Sequence, residues 1–270
     1  MNHRRLSVSS WSLHRTLGSL PITDPADKPN PAPPGALPLL DLPREIAEHG
    51  IQTLEICHFH FPSTDDDFVS ELCLALEASG VELWSLLIDG GDLNGEHAAR
   101  DFDWIRGWIE VAGKLGARNA RVVAGQGAPT EENLVQSIAS LEGLVEVADS
   151  NGVRLMTENW FDTLGSPDAV HRVFADLSGN LDLCLDFGNW DKRPHKYADL
   201  ASIARYATSC HARADFKSPD ELDETDFRRC LKLTVDADFH GPYTLIPSGS
   251  SGDEWAALEV AASVARDFCE

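Results

Sequence analysis

The sequence predicts an α/β protein, a closed (β/α)8 barrel that takes up the 270 residues as a single domain. Three observations predict it. Short apolar runs alternate with longer amphipathic ones along the whole length, giving eight strand-helix units with no surplus for a second domain. An open doubly wound sheet is the alternative, and it asks for a Gly-rich turn after the first strand, which SSWSLHRTLG at 9–18 does not supply. Polar groups also stand at the ends of three successive strand-like runs, where a barrel gathers its chemistry.

Arg5 to Trp11 reads as the first strand. The proline-dense segment Pro21 to Pro38 follows, in which neither helix nor central strand is tolerated, and Pro43 suits the first turn of the next helix. Strand two is Ile51 to Cys57; a helix from Asp65 to Ser79 is stopped by Gly80, and Val81 to Ile88 is strand three. The helix Glu96 to Leu115 ends at Gly116, before strand four, Ala120 to Gly125. Thr130 caps the next helix and Gly152 closes it. Strand five (Val153 to Thr157), strand six (Leu181 to Asp186), strand seven (Thr208 to Ala212) and strand eight (Tyr243 to Ile246) complete the set. Helices from Ser166, about Ala198, Thr225 and Gly252 follow them in turn.

The run Leu181 to Asp191, LDLCLDFGNWD, organises the site. With period two, Leu181, Leu183, Leu185 and Phe187 share one face, and Asp182, Cys184 and Asp186 share the other. Asp186 falls near the strand's C-terminal end, where Gly188 and Asn189 supply turn chemistry. Glu158, at the end of VRLMTENW, and His211, in YATSCHARAD, fall at the same level in a barrel.

Charge narrows the function. With 44 acidic and 22 basic side chains the net charge is -22, a field that repels phosphate backbones and anionic lipid heads. No nucleic acid and no membrane surface is expected as a partner. Six scattered cysteines without a CxxC suggest buried thiols in a reducing, cytoplasmic setting. The N-terminal stretch is broken by Ser and by His14-Arg15, so it reads as neither a signal peptide nor a transmembrane span.

TENW, CLDFGNW, the histidine of SCHAR and the closing TDFRRCLKLTVDADFHGPYTLI resemble the sugar phosphate isomerase/epimerase family. These are the xylose-isomerase-like TIM barrels, which include the endonuclease IV group. The resemblance implies a divalent metal held by a Glu after strand five, an Asp after strand six, a His after strand seven and a Glu after strand eight. The first three match Glu158, Asp186 and His211; the fourth position carries Ile246, and Ser248 takes the place of the next acid. Two carboxylates and an imidazole suit Mn, Mg, Zn or Co, held more weakly by three protein ligands than by four. The implied activity is a metal-dependent isomerase, lyase or dehydratase acting on a small sugar or other polyhydroxylated carbonyl compound, with Glu158 moving the proton. A two-base epimerase is disfavoured because Ile246 cannot act on the second face. A non-catalytic carbohydrate-binding barrel that has lost its fourth ligand is the other class, and a DNA-cleaving role is disfavoured by the charge.

Other residues are candidates for substrate contact. Arg213 shares a strand face with His211; His58 and His60 have HxH spacing after strand two; Trp160 and Trp190 end two strands and suit stacking on a sugar ring. Each has a structural reading as well: a salt bridge for the arginine, solvated loop positions for the histidines, rim packing for the tryptophans. Glu55 points into the barrel, where it would support the ligand groups, while Asp253 and Glu254 read as acids at a helix start. The segment Pro21 to Pro38 starts on the same face as the site and is expected to cover it. A homo-oligomer is compatible with the sequence.

Overall fold

The computed structural model describes residues 3–18, 24–26, 36–218, 221–250 and 252–270. Its strands are β1 (Arg5–Ser9), β2 (Thr53–Cys57), β3 (Glu82–Ile88), β4 (Asn119–Val122), β5 (Arg154–Glu158), β6 (Asp182–Asp186), β7 (Ala207–Ser218), β8 (Glu221–Leu222) and β9 (Pro242–Ser248). Around them lie α1 (Leu42–Glu48), α2 (Asp66–Ser79), α3 (Ala98–Lys114), α4 (Glu131–Ser150), α5 (Pro167–Asp176), α6 (Lys196–Ile203), α7 (Glu224–Asp236) and α8 (Glu254–Ala265).

Parallel pairing runs from β1 through β6 in order; β6 pairs with β7, β7 with β9, and β9 with β1, so the sheet closes on itself. Among the described residues eight strands form a parallel (β/α)8 barrel. The ninth, β8, folds back antiparallel on the far end of β7. The expected helix signals work as capping chemistry: the side chains of Asp65, Thr130 and Ser166 accept the backbone N–H groups of Phe68, Asn133 and Ala169. Gly80 ends α2 at φ 66°, a left-handed turn that a side chain would strain.

Several strand boundaries differ from the sequence reading. β1 stops at Ser9, whose hydroxyl accepts the Trp11 N–H and turns Ser10–Leu13 into a 3-10 helix. β4 ends at Val122, three residues before the expected Gly125. β7 continues six residues past Ala212, because Arg213 and Asp215 pair with Ile246 and Ser248 of β9 although their polarity reads as loop. Of the segment Pro21 to Pro38, residues 21–23 and 27–35 lie outside the described residues, and so does the cover expected there. Cys57, Cys184, Cys210 and Cys230 are buried thiols, but Cys73 and Cys269 are half-buried. No helix among the described residues is long and apolar enough to cross a membrane.

Candidate metal and substrate site

Strand register places the site. Asp186 on β6 pairs with His211 on β7, Glu158 on β5 with Cys184 on β6, and Arg213 on β7 with Ile246 on β9. Side chains two apart on a strand share a face, so this register delivers Glu158, Asp186 and His211 to the inside of the barrel at its C-terminal end.

The three meet there. His211 Nδ1 lies 3.3 Å from Glu158 Oε2 and 3.9 Å from Asp186 Oδ2. The other ring nitrogen, Nε2, donates to Glu55 Oε2 at 2.9 Å, and Glu55 also accepts from the Ser209 hydroxyl. A carboxylate behind an imidazole fixes the ring and leaves its far nitrogen to face a ligand. Asn189 Nδ2 donates to Glu158 Oε1 at 2.7 Å, which turns Oε2 inward. Asp186 Oδ1 accepts the N–H groups of Gly188 and Asn189, both at 2.7 Å. The amide of Asn159 continues the strand pairing past β5, accepting from the Asp186 N–H and donating to its carbonyl. The Gly-Asn pair is therefore more than a turn; it sets the orientation of both carboxylates.

Electrostatics follow from burial and crowding. Burial would raise the Glu158 carboxyl, but the His211 and Arg121 charges outweigh it and hold it at about 2. Burial, reinforced by the Glu158 charge, pushes Asp186 up to about 6. Burial disfavours the His211 imidazolium, yet the facing Cys184, Glu158 and Glu55 groups raise it well above its ordinary value. Burial pushes the Cys184 thiol up to about 12.

Glu158 Oε2 is buried without a hydrogen-bond partner among the described residues, and with His211 Nδ1 and Asp186 Oδ2 it makes a convergent oxygen and nitrogen donor set. Such a set fits a divalent cation. Glu158, Cys184 and His211 also offer donor atoms within 4.8 Å of one another. No fourth carboxylate comes from β9, since Ile246 lines the cavity there. Instead a guanidinium stands beside the set: Arg121 on β4 brings Nε to 3.3 Å from Glu158 Oε2.

The mouth cavity has a volume of about 270 Å³. Trp160 and Arg213 line it together with Glu158, Asp186 and His211. Arg213 is held by Asp215 at 3.1 Å and by the Ser248 hydroxyl at 3.0 Å, so Ser248 orients the arginine. A Cβ on Gly188 would run into Arg213 Cδ, which makes glycine a requirement of that approach. Phe161 has φ 52° and stacks on Trp160 with ring centroids 4.4 Å apart, a strained backbone position at the cavity edge.

Three expected contacts are not brought to this cavity. Trp190 is buried and donates through Nε1 to the Leu164 carbonyl at 3.2 Å. His58 and His60 are buried rather than solvated, because the chain turns into a 3-10 helix after β2 and tucks both rings inward. His58 packs edge-on against Trp104 and accepts the Asp89 N–H at 3.1 Å; His60 meets the Ser10 hydroxyl at 2.9 Å, and burial lowers it to about 3. Conversely, Asp89 and Arg121 line the cavity without having been singled out. ARVVAG reads as an apolar strand, and only an inward arginine at its second position offered a signal.

Residues 43–245 match the family model described as "Xylose isomerase-like TIM barrel". The chain belongs to this family. Among solved structures, this xylose isomerase-like barrel is similar to a D-tagatose 3-epimerase-like protein, with TM-score 0.71, 18% identity and 98% of each chain covered. D-allulose 3-epimerase from Methylomonas sp. gives TM-score 0.72 at 12% identity, with 99% of each chain covered. A xylose isomerase-like TIM barrel protein from Mycobacterium smegmatis in complex with magnesium gives 0.66 at 17% identity, covering 85% of this chain and 87% of that one. At these identities the likeness shows the shared fold. No curated protein matches this xylose isomerase-like barrel in sequence.

Proposed function

We propose that this barrel is an isomerase, or a related lyase or dehydratase, acting on a small sugar or other polyhydroxylated carbonyl compound with the help of a divalent cation. One observation carries the reading: Glu158 Oε2, buried and without a hydrogen bond among the described residues, faces His211 Nδ1 and Asp186 Oδ2 across the floor of a small cavity. The solved structures it resembles include a D-tagatose 3-epimerase-like protein and a D-allulose 3-epimerase, and they support a sugar-like substrate.

Glu158, Asp186 and His211 would hold the cation, with Glu55 fixing the imidazole behind them. A cation bound there would supply polarisation of a hydroxy-carbonyl pair. Glu158, ionised and kept in place by Asn189, takes the proton from the neighbouring carbon. Arg213, aimed by Asp215 and Ser248, donates to a substrate oxygen, and the Trp160 ring packs against the sugar's apolar face. His58, His60 and Trp190 stand behind the wall and support the loops that bear these groups. Ile246 closes the β9 side with an apolar surface, so the reading is one-base chemistry, in which a proton leaves and returns on one face. The same isoleucine favours a second reading, a carbohydrate-binding barrel without turnover.

Protein purified without chelator is analysed for bound metal, then incubated with ketoses and aldoses in deuterated water. Metal in the preparation and deuterium entering a carbon beside the carbonyl are the expected results. Sugar binding with no exchange and no product, with or without added Mn, Mg, Zn or Co, would establish the binding barrel instead.

A further inference from the structure

Arg121 is among the largest fully buried side chains of the described residues, between Ala120 and Val122 on β4. Nη2 donates to Asp89 Oδ1, and the guanidinium lies over the Trp160 ring, 5.3 Å from its centroid. Neither contact uses up the arginine. Nη1 has no hydrogen-bond partner among the described residues, nor has Asp89 Oδ2; the Cys57 thiol, a weak donor, also neighbours the Asp89 carboxylate. Both residues line the mouth cavity, and both are more than nine-tenths buried. Leaving one N–H group of a buried guanidinium and one oxygen of a buried carboxylate without a hydrogen bond is costly even when the two charges pair elsewhere, so an arrangement that keeps both at a cavity wall is built to meet something that enters it.

We propose that Arg121 and Asp89 form a second substrate subsite that reads two neighbouring oxygens of a neutral, unphosphorylated polyol. Resting on the sugar-like reading of the cavity, it narrows that reading to a substrate class. Asp89 Oδ2 accepts from a hydroxyl, and Arg121 Nη1 donates to the adjacent hydroxyl or carbonyl oxygen. A fixed acceptor beside a fixed donor is complementary to a vicinal diol or a hydroxy-carbonyl pair. The backbone N–H of Asp89 is held by His58, and Trp160 covers the guanidinium, so the pair is set before the ligand arrives. The pair itself selects against anions. A phosphate or carboxylate group placed at this subsite would face the unmet oxygen of the Asp89 carboxylate, where a hydroxyl donates to it instead.

The test is calorimetric or ligand-observed NMR titration of the intact protein with D-fructose, its monodeoxy derivatives and D-fructose 6-phosphate. The variants are Arg121→Lys and Asp89→Asn, each checked for folding by circular dichroism. D-Fructose should bind more tightly than its phosphate, and both variants should weaken it by about 10- to 100-fold, the range for a hydrogen bond to a charged group. One monodeoxy sugar should bind the parent correspondingly weakly and lose nothing further in Arg121→Lys, which marks the oxygen that Nη1 meets. If a variant fails to fold, a crystal structure of the parent with D-fructose decides, with sugar oxygens expected about 2.7 to 3.2 Å from Nη1 and Oδ2. Undiminished binding by folded variants, tighter binding of the phosphate, or a bound sugar that leaves both atoms unmet overturns the subsite while the wider function stands. A parent that binds no sugar at all overturns both.

Discussion

Glu55 on β2 and His211 on β7 meet across the inside of the barrel, Oε2 to Nε2 at 2.9 Å, although 156 positions separate them in the chain. The contact fixes which imidazole nitrogen faces Glu158 and Asp186. It also gives a buried carboxylate a reason to exist on a strand that is otherwise core.

Replacing that carboxylate should loosen the site without emptying it. Glu55→Gln keeps the side chain's size but loses the charge behind His211. Manganese affinity should fall by about 10- to 100-fold, as is usual when the group supporting a metal-bound histidine is removed. Calorimetric titration of parent and variant measures it, and equal affinities would show that His211 is not a ligand.

Ile246 marks the strand end that supplies no carboxylate. Ile246→Glu should add a fourth oxygen ligand and tighten manganese binding over the parent. Without metal, the new carboxylate is buried beside Glu158 and Asp186, and the protein should melt earlier, with a penalty of several kcal/mol. The two opposite effects are read by titration and by melting curves with and without metal. A variant that binds manganese no better than the parent rules out a lost ligand at this position.

Gly188→Ala tests the approach of Arg213 to the site. The added methyl collides with Cδ of the arginine, which is tied at its far end to Asp215 and Ser248. A loss of about 1 to 3 kcal/mol in stability is expected from such overpacking, together with a raised KM. Steady-state kinetics and chemical denaturation check both, and an alanine variant with parental KM would remove Arg213 from the substrate site.

Glu254 has a structural role that makes the fold pH-dependent. At the first turn of α8 it accepts from the Arg15 and Thr16 N–H groups and the Thr16 hydroxyl, tying the end of the barrel to the chain after β1. Burial would raise its carboxyl, but these hydrogen bonds, with one more from the Arg15 guanidinium, lower it. A depressed folded value means that the stabilisation is present above the unfolded value of about 4.3 and is lost as pH falls through the lower folded one. Glu254→Gln should cost about 1 to 3 kcal/mol at neutral pH. The gap between parent and variant melting curves should shrink as the solution is acidified through that window; a gap independent of pH would assign the loss to shape rather than charge.

The sequence by itself determined the barrel and much of its site. Strict alternation of strands and helices leaves little topological choice, and period-two patterning puts Asp186, Glu158 and His211 at strand ends before any contact is known. Glu55 was legible for the same reason, as an acid in phase with the inward face of a strand. What only the tertiary structure decided is what those groups touch. Arg121 looks like one residue in an apolar strand until β3 and β5 bring Asp89 and Glu158 against it. His58, His60 and Trp190 occur at strand ends as the site residues do, but the direction of each side chain depends on the turn that follows. In the 3-10 helix after β2 and the loop after β6, backbone hydrogen bonding aims the rings away from the cavity. Parity tells which face a strand residue takes; beyond the last paired residue parity no longer applies, and packing against neighbours far away in sequence sets the orientation.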